Sequence, residues 1–187
     1  MSNAPISCYI SAQFQIIMAQ TNEKLLKSAK KEGNKLGIDL VGASEMGGTE
    51  FFCTTIVNAE GHFDLLTAAK DSMLEELTAS VGVILVSAGV PTLSCWCVVP
   101  EDKADVVPAD EWLGTAVKAA GGELHEGATK THASAVIHPK EGEFAIKLKD
   151  TLIAAALNVL RAKGKLADDS SDSGDEYIFG DDDLGNF

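Results

Sequence analysis

Four cysteines and four histidines are the residues of this chain best suited to nucleophilic or metal chemistry, and their spacing argues against both. Cys8, Cys53, Cys95 and Cys97 contain no C-x-x-C pair, and His62, His125, His132 and His138 contain no pair four residues apart. Neither a zinc knuckle nor a helical two-histidine site can be assembled from such spacings in the usual way. No metal and no cofactor are therefore expected. Cys95 and Cys97 flank Trp96 and project to the same face of one strand, too close along it to bridge comfortably, so the cysteines read as small hydrophobes packed in a reduced protein. The chain has no G-x-x-x-x-G-K-[ST] and no G-x-S-x-G, and the glycine pairs at 47–48 and 121–122 lack the spacing of a dinucleotide loop. No serine is bracketed by a base and an orienting acid. The expectation is a protein that is not an enzyme.

Charge narrows the choice of partners. The 187 residues carry a net charge of −13. All 15 lysines and arginines lie at or before Lys165, and eight of the 28 carboxylates lie after it, which leaves −8 on the tail and −5 on the body. A body at −5 is not a general polyanion binder, because phosphate contacts need clustered lysine and arginine; only a local basic face could hold RNA. No apolar run approaches the ~20 residues a bilayer span needs, so no membrane association is expected. The N-terminal residues show neither a basic n-region nor a continuous apolar segment, and a cytoplasmic location is expected.

The elements that would position any site follow from periodicity. Thr21–Lys35 reads as an amphipathic helix, with Leu25, Leu26, Ala29 and Leu36 near helical spacing, five lysines on the other side, and Gly33 and Gly37 marking its end. Leu40–Gly48 reads as a loop. Phe51–Val57 alternates as a strand, and His62–Leu77 is a helix with Phe63, Leu66, Ala69, Lys70, Met73 and Leu77 near one stripe. Val81–Ser87 and Leu93–Val99 are strands joined by Ala88-Gly-Val-Pro-Thr92, which predicts an antiparallel hairpin. Asp110–Ala120 is a helix that Gly121-Gly122 would stop. Ala128–Ile137 contains a short edge strand, and Glu143–Lys163 is the last helix, closed by Gly164. The fold class expected is α/β, a single domain with a mixed sheet packed by helices. Its parts are a flexible extension over 1–20, the helix over 21–35, the folded domain over 36–165 and a disordered acidic tail over 166–187.

Thr92–Trp112, TLSCWCVVPEDKADVVPADEW, is the most informative stretch. Leu93, Cys95, Cys97 and Val99 alternate with Ser94, Trp96 and Val98, Pro100 ends the strand, and Pro108-Ala-Asp-Glu-Trp112 opens a helix with carboxylates in its first turn. This strand, loop and acidic helix start resemble the C-terminal domain of eukaryotic alanyl-tRNA synthetases, where a C-x-C strand runs into V-P and then into a helix opening with an acidic residue and Trp. That domain belongs to the RNA-binding family that also follows the phosphoesterase core of DHH-type nucleases. The resemblance covers roughly residues 36–163. The aminoacylation core and the editing motifs of a synthetase are absent from this chain.

The resemblance implies a non-catalytic module that binds tRNA or another structured RNA, and that associates as a homodimer or with proteins of a synthetase complex. In the family, a glycine run after the Trp-bearing helix lets backbone N–H groups approach phosphates. Here Gly121, Gly122 and Gly127 remain, with Glu123 and Glu126 between them, and Lys118, Lys130, His132 and Lys140 stand nearby to offset those carboxylates. These seven residues are the candidate nucleic-acid contacts; a helix cap and a surface turn is the other reading of the same segment. Val136–Phe144 looks inserted relative to the family, and the acidic tail has no counterpart in it. The alternative function is a protein-interaction adaptor or dimerisation module that has lost RNA binding, capturing partners through Tyr177–Phe179 or pairing through an exposed side of the sheet.

Overall fold

A computed structural model describes the backbone of residues 6–166 and the side chains of residues 22–166. Four helices and four strands follow in the order α1 (Ile6–Gly47), β1 (Phe51–Thr55), α2 (Phe63–Glu76), β2 (Gly82–Ala88), β3 (Leu93–Val98), α3 (Ala109–Ala119), β4 (His132–Ile137) and α4 (Ala145–Ala162). The acidic tail from residue 167 onward and residues 1–5 lie outside the described residues. The strands form one mixed sheet in the order β1-β2-β3-β4. β1 runs parallel to β2, with Cys53 opposite Ile84. β2 and β3 make the expected antiparallel hairpin, with Leu85 opposite Trp96, and β4 pairs antiparallel to β3 at the edge, with Trp96 opposite Ser134.

Period-2 alternation sends each strand's two faces into separate cores. On one side Ile84, Val86, Cys95 and Cys97 meet Trp112, Leu113, Ala116 and Val117 of α3 and Leu152, Ala156 and Leu160 of α4. Trp112 is the hub there: its indole N–H donates to the Ala156 carbonyl at 3.0 Å, and its ring meets Phe51 edge-on with centroids 5.6 Å apart. On the other side Val83, Leu85 and Ile56 meet Leu66, Ala69 and Met73 of α2, with Ala29 and Leu40 of α1 behind. Helices α3 and α4 thus pack on one face of the sheet, and α2 backed by α1 on the other.

The first helix departs from expectation. It runs unbroken over 42 residues, about 63 Å at 1.5 Å per residue, through Gly33 and Gly37 and through the loop expected at Leu40–Gly48. The reason is packing. A Cβ at Gly33 would run into the Ala69 carbonyl, and one at Gly37 would lie 2.6 Å from the Met73 carbonyl. These glycines let α1 and α2 approach backbone to backbone, and that contact offsets the roughly 1 kcal/mol per residue that glycine costs in a helix. The actual stop is Gly48, at φ +64°, whose N–H returns to the Ser44 carbonyl at 2.9 Å.

The loop after β1 is pinned to the hairpin. Gly61 N–H donates to the buried Ser87 hydroxyl at 3.0 Å, and its carbonyl accepts from Ser94 Oγ at 2.6 Å and from Thr92 Oγ1 at 2.9 Å. The two buried serines of the hairpin are satisfied by the N–H and C=O of one residue, Gly61, which fixes where α2 begins.

Candidate nucleic-acid interface

Helix α3 has its buried stripe on Ala109, Trp112, Leu113, Ala116 and Val117, so Lys118 falls on the outer side, exposed. The helix ends as its glycines predict. Gly121 takes φ +77°, its N–H donates to the Lys118 carbonyl at 3.1 Å, and the Gly122 N–H reaches back to Val117 at 3.0 Å. This is the paired 6→1 and 5→2 closure of a helix C-terminus. Both glycine N–H groups are therefore engaged with the helix's own carbonyls. Gly122 also lacks room for a side chain, since a Cβ would lie 2.6 Å from Ile137 Cγ1. The cap and turn reading accounts for both residues.

Beyond the cap, the chain follows the outer edge of β4. His125 N–H donates to the Ser134 carbonyl at 2.8 Å, and Thr129 N–H donates to the His132 carbonyl at 2.8 Å. The edge strand is thereby partly covered by its own preceding loop. Gly127 sits in this loop at φ +86° with open space around it.

Lys130 and His132 lie where β4 begins, beside the start of α3. The Lys130 carbonyl accepts from Ala109 N–H at 2.8 Å and the Thr129 carbonyl from Asp110 N–H at 3.2 Å. Lys130 Nζ pairs with Asp105 at 2.9 Å; the contact raises the lysine's pKa and lowers the aspartate's. His132 Nδ1 lies 3.0 Å from Thr129 Oγ1. Lys140 lies past the other end of β4. With Gly121, Ile137, His138, Glu143 and Leu148 it lines a cleft of about 160 Å³, and its N–H donates to the Glu143 carboxylate at 3.0 Å.

The seven expected residues therefore form two groups. Lys118, Gly121, Gly122 and Lys140 gather at the C-terminal ends of α3 and β4; Gly127, Lys130 and His132 gather at their N-terminal ends. Five strand steps of roughly 3.3 Å separate them, about 17 Å in all.

One cluster was not expected. Trp96, on the α2 side of the sheet, stacks on Phe63 with centroids 5.5 Å apart, takes Lys70 Nζ over its ring at 4.5 Å and donates from Nε1 to Thr67 Oγ1 at 2.9 Å. His125 packs edge-on against Phe63 at 5.1 Å, which fastens the loop over β4 to α2. Lysine inside the apolar stripe of α2 was the sequence signal for this cation–π contact. Burial pushes the thiols of Cys53 and Cys95 up to about 12 and that of Cys97 upward as well, with Cys53 and Cys95 nearby adding to it. Among the described residues no helix is long and apolar enough to cross a membrane.

No protein-family model matches the chain, and no curated protein matches it. Among solved structures, the chain is similar to the crystal structure of the C-Ala domain from Aquifex aeolicus alanyl-tRNA synthetase. The identity is 22% and the TM-score 0.39, over 55% of this chain and 89% of that one.

Proposed function

We propose that this chain is a non-catalytic RNA-binding and association module of the kind that closes alanyl-tRNA synthetases, working in the cytoplasm on tRNA or a similarly structured RNA. The observation that carries the reading is the Thr92–Trp112 motif and the way it is built. Its cysteines face inward beside α3, Trp112 is the buried hub joining β1, α3 and α4, and Gly121-Gly122 closes the helix. The residues that carry the resemblance thus serve as the frame of the fold rather than as a reaction centre. Thiols with pKa values raised by burial suit that non-catalytic role.

In this reading Lys118 and Lys140 contact phosphate at one end of β4, and Lys130 with His132 at the other. Lysines act as point charges toward phosphate, so binding weakens steeply with salt. The test is retention of a tRNA transcript by the full chain at 50 mM salt, repeated at 200 mM. Retention that falls at least tenfold between the two supports the module; no retention at the lower salt removes it.

One observation favours the adaptor reading. Phe144 and Ile146, at the start of α4, are 66% and 64% exposed, an apolar pair of the sort that anchors a protein partner. A chain that ignores tRNA but loses a captured protein on Phe144→Ser substitution would be an adaptor.

A further inference from the structure

The largest grouping of lysines is not on α3 or β4. Five of the chain's 15 basic residues, Lys24, Lys27, Lys30, Lys31 and Lys35, lie within twelve positions of α1. At 100° per residue, Lys24, Lys27, Lys31 and Lys35 fall within an arc of about 80°. Ala29, Gly33, Gly37 and Leu40 occupy the opposite side and are buried. All four lysines of the arc are exposed, in a straight row about 17 Å long.

The nearby carboxylates leave most of this row uncompensated. Glu23 pairs with Lys27 at 2.8 Å. Glu32 is occupied elsewhere: its oxygens accept from Val57 N–H, Asn58 N–H and Asn58 Nδ2, each at 2.9 Å. Asp39 shares a cleft with Lys35 without pairing to it. Among the described residues, no carboxylate lies within ion-pair distance of Lys24, Lys31 or Lys35. A second cleft, of about 310 Å³, opens beside the row between Ser28, Lys31, Glu32, Lys35 and Asn58; it adds a hydroxyl and an amide, and in its lining the Glu32 carboxylate is held by the Val57 and Asn58 donors.

We propose that this lysine row on α1 is the principal phosphate-binding surface of the chain, with the backbone of a structured RNA as its ligand. The inference rests on the RNA-binding reading above and relocates its main contact. Three features favour RNA over an acidic protein. The row is straight and rigid, because α1 is fixed by its close glycine contact to α2. Its charges are exposed and mostly without carboxylate partners, the form in which lysine releases counterions from phosphate. Between Lys24 and Lys35 the face carries no apolar side chain, whereas protein docking needs a desolvated anchor; Ile38, one turn on, is the first.

Binding of a tRNA transcript is measured with the full chain by fluorescence anisotropy between about 30 and 300 mM salt, a range over which log affinity falls linearly with log salt. Three variants are compared with the unaltered chain: Lys24/Lys27/Lys31/Lys35→Gln, the same four →Arg, and Lys118/Lys140→Gln. Because Lys27 is half committed to Glu23, the glutamine form loses about three phosphate contacts. Its slope of log affinity against log salt falls by roughly 3 and its affinity by about tenfold or more at the low end. The arginine form keeps both, and unchanged thermal unfolding shows that all forms fold. A glutamine form with the slope of the unaltered chain, beside a Lys118/Lys140 variant that loses it, overturns the α1 assignment and leaves RNA binding standing. Failure of the unaltered chain to bind overturns both. Preference of the row for anionic phospholipid vesicles over tRNA overturns the choice of ligand and with it the proposal.

Discussion

The Cα of Gly33 lies against the backbone carbonyl of Ala69 so closely that not even a methyl group fits between α1 and α2. Gly42, nine residues on in the same helix, has nothing within 4 Å of the position its Cβ would take. The same substitution must therefore have opposite signs at the two sites. Gly33→Ala forces the helices apart and costs about 2–3 kcal/mol, whereas Gly42→Ala relieves the backbone entropy cost and adds about 0.5–1 kcal/mol. Urea denaturation of both variants decides it; equal shifts would show that the helix contact is not rigid.

That contact also explains where sequence reasoning failed. Local rules treat Gly33 and Gly37 as a helix end because glycine disfavours helix, and nothing local announces that a second helix will press on them. The Gly121-Gly122 stop was legible because the cap is a local event, as were the two faces of Leu93–Val99, set by alternation alone. The separation of Lys130 and His132 from Lys118 and Lys140 was hidden, since the loop between them doubles back along β4. The lysine row on α1 was visible as a helical face, but a charged face is the ordinary solvated side of a helix. Its significance needed the structure, which shows Glu32 engaged by the Val57 and Asn58 donors rather than ion-paired to a lysine of the row.

Glu50 bridges Lys103 at 2.6 Å and Lys165 at 2.8 Å, joining the start of β1 to the chain just past α4. Hydrogen bonds from the two lysines, Lys103 first, lower its pKa from the ordinary 4.5 to about 2. A carboxyl depressed in the folded state contributes stability that is fully present above about 4.5 and is lost as pH falls through about 2. The side chain is 42% exposed, so water and salt screen the pair and its contribution is about 1 kcal/mol. Glu50→Gln is expected to lower the urea midpoint at pH 7, with the difference from the parent shrinking as pH falls through about 2 and closing below it. A loss of the same size at both ends of that range would mean that the ion pairs are not its cause.

The tail offers the α1 lysines a competitor. It carries eight carboxylates and no base after Lys165, and it is tethered to the same body, so its local concentration is high without any added ligand. If RNA and tail share one basic row, a chain ending at Leu166 binds tRNA about three- to tenfold more tightly at low salt, and the gain fades toward 0.3 M as the Debye length shrinks below about 8 Å. Ser170, Ser171 and Ser173 sit among these acids, with Glu176 three positions after Ser173, a spacing that suits acidophilic kinases. Each phosphate adds about −1.5 to −2 charges at pH 7. The Ser170/Ser171/Ser173→Glu form is expected to bind more weakly than the parent, giving the order truncated, parent, glutamate form. Combining the truncation with Lys24/Lys27/Lys31/Lys35→Gln should abolish the gain, because the tail then has no row left to screen. Equal tRNA affinities for the truncated, parent and glutamate forms at low salt would exclude the tail as a brake on RNA binding.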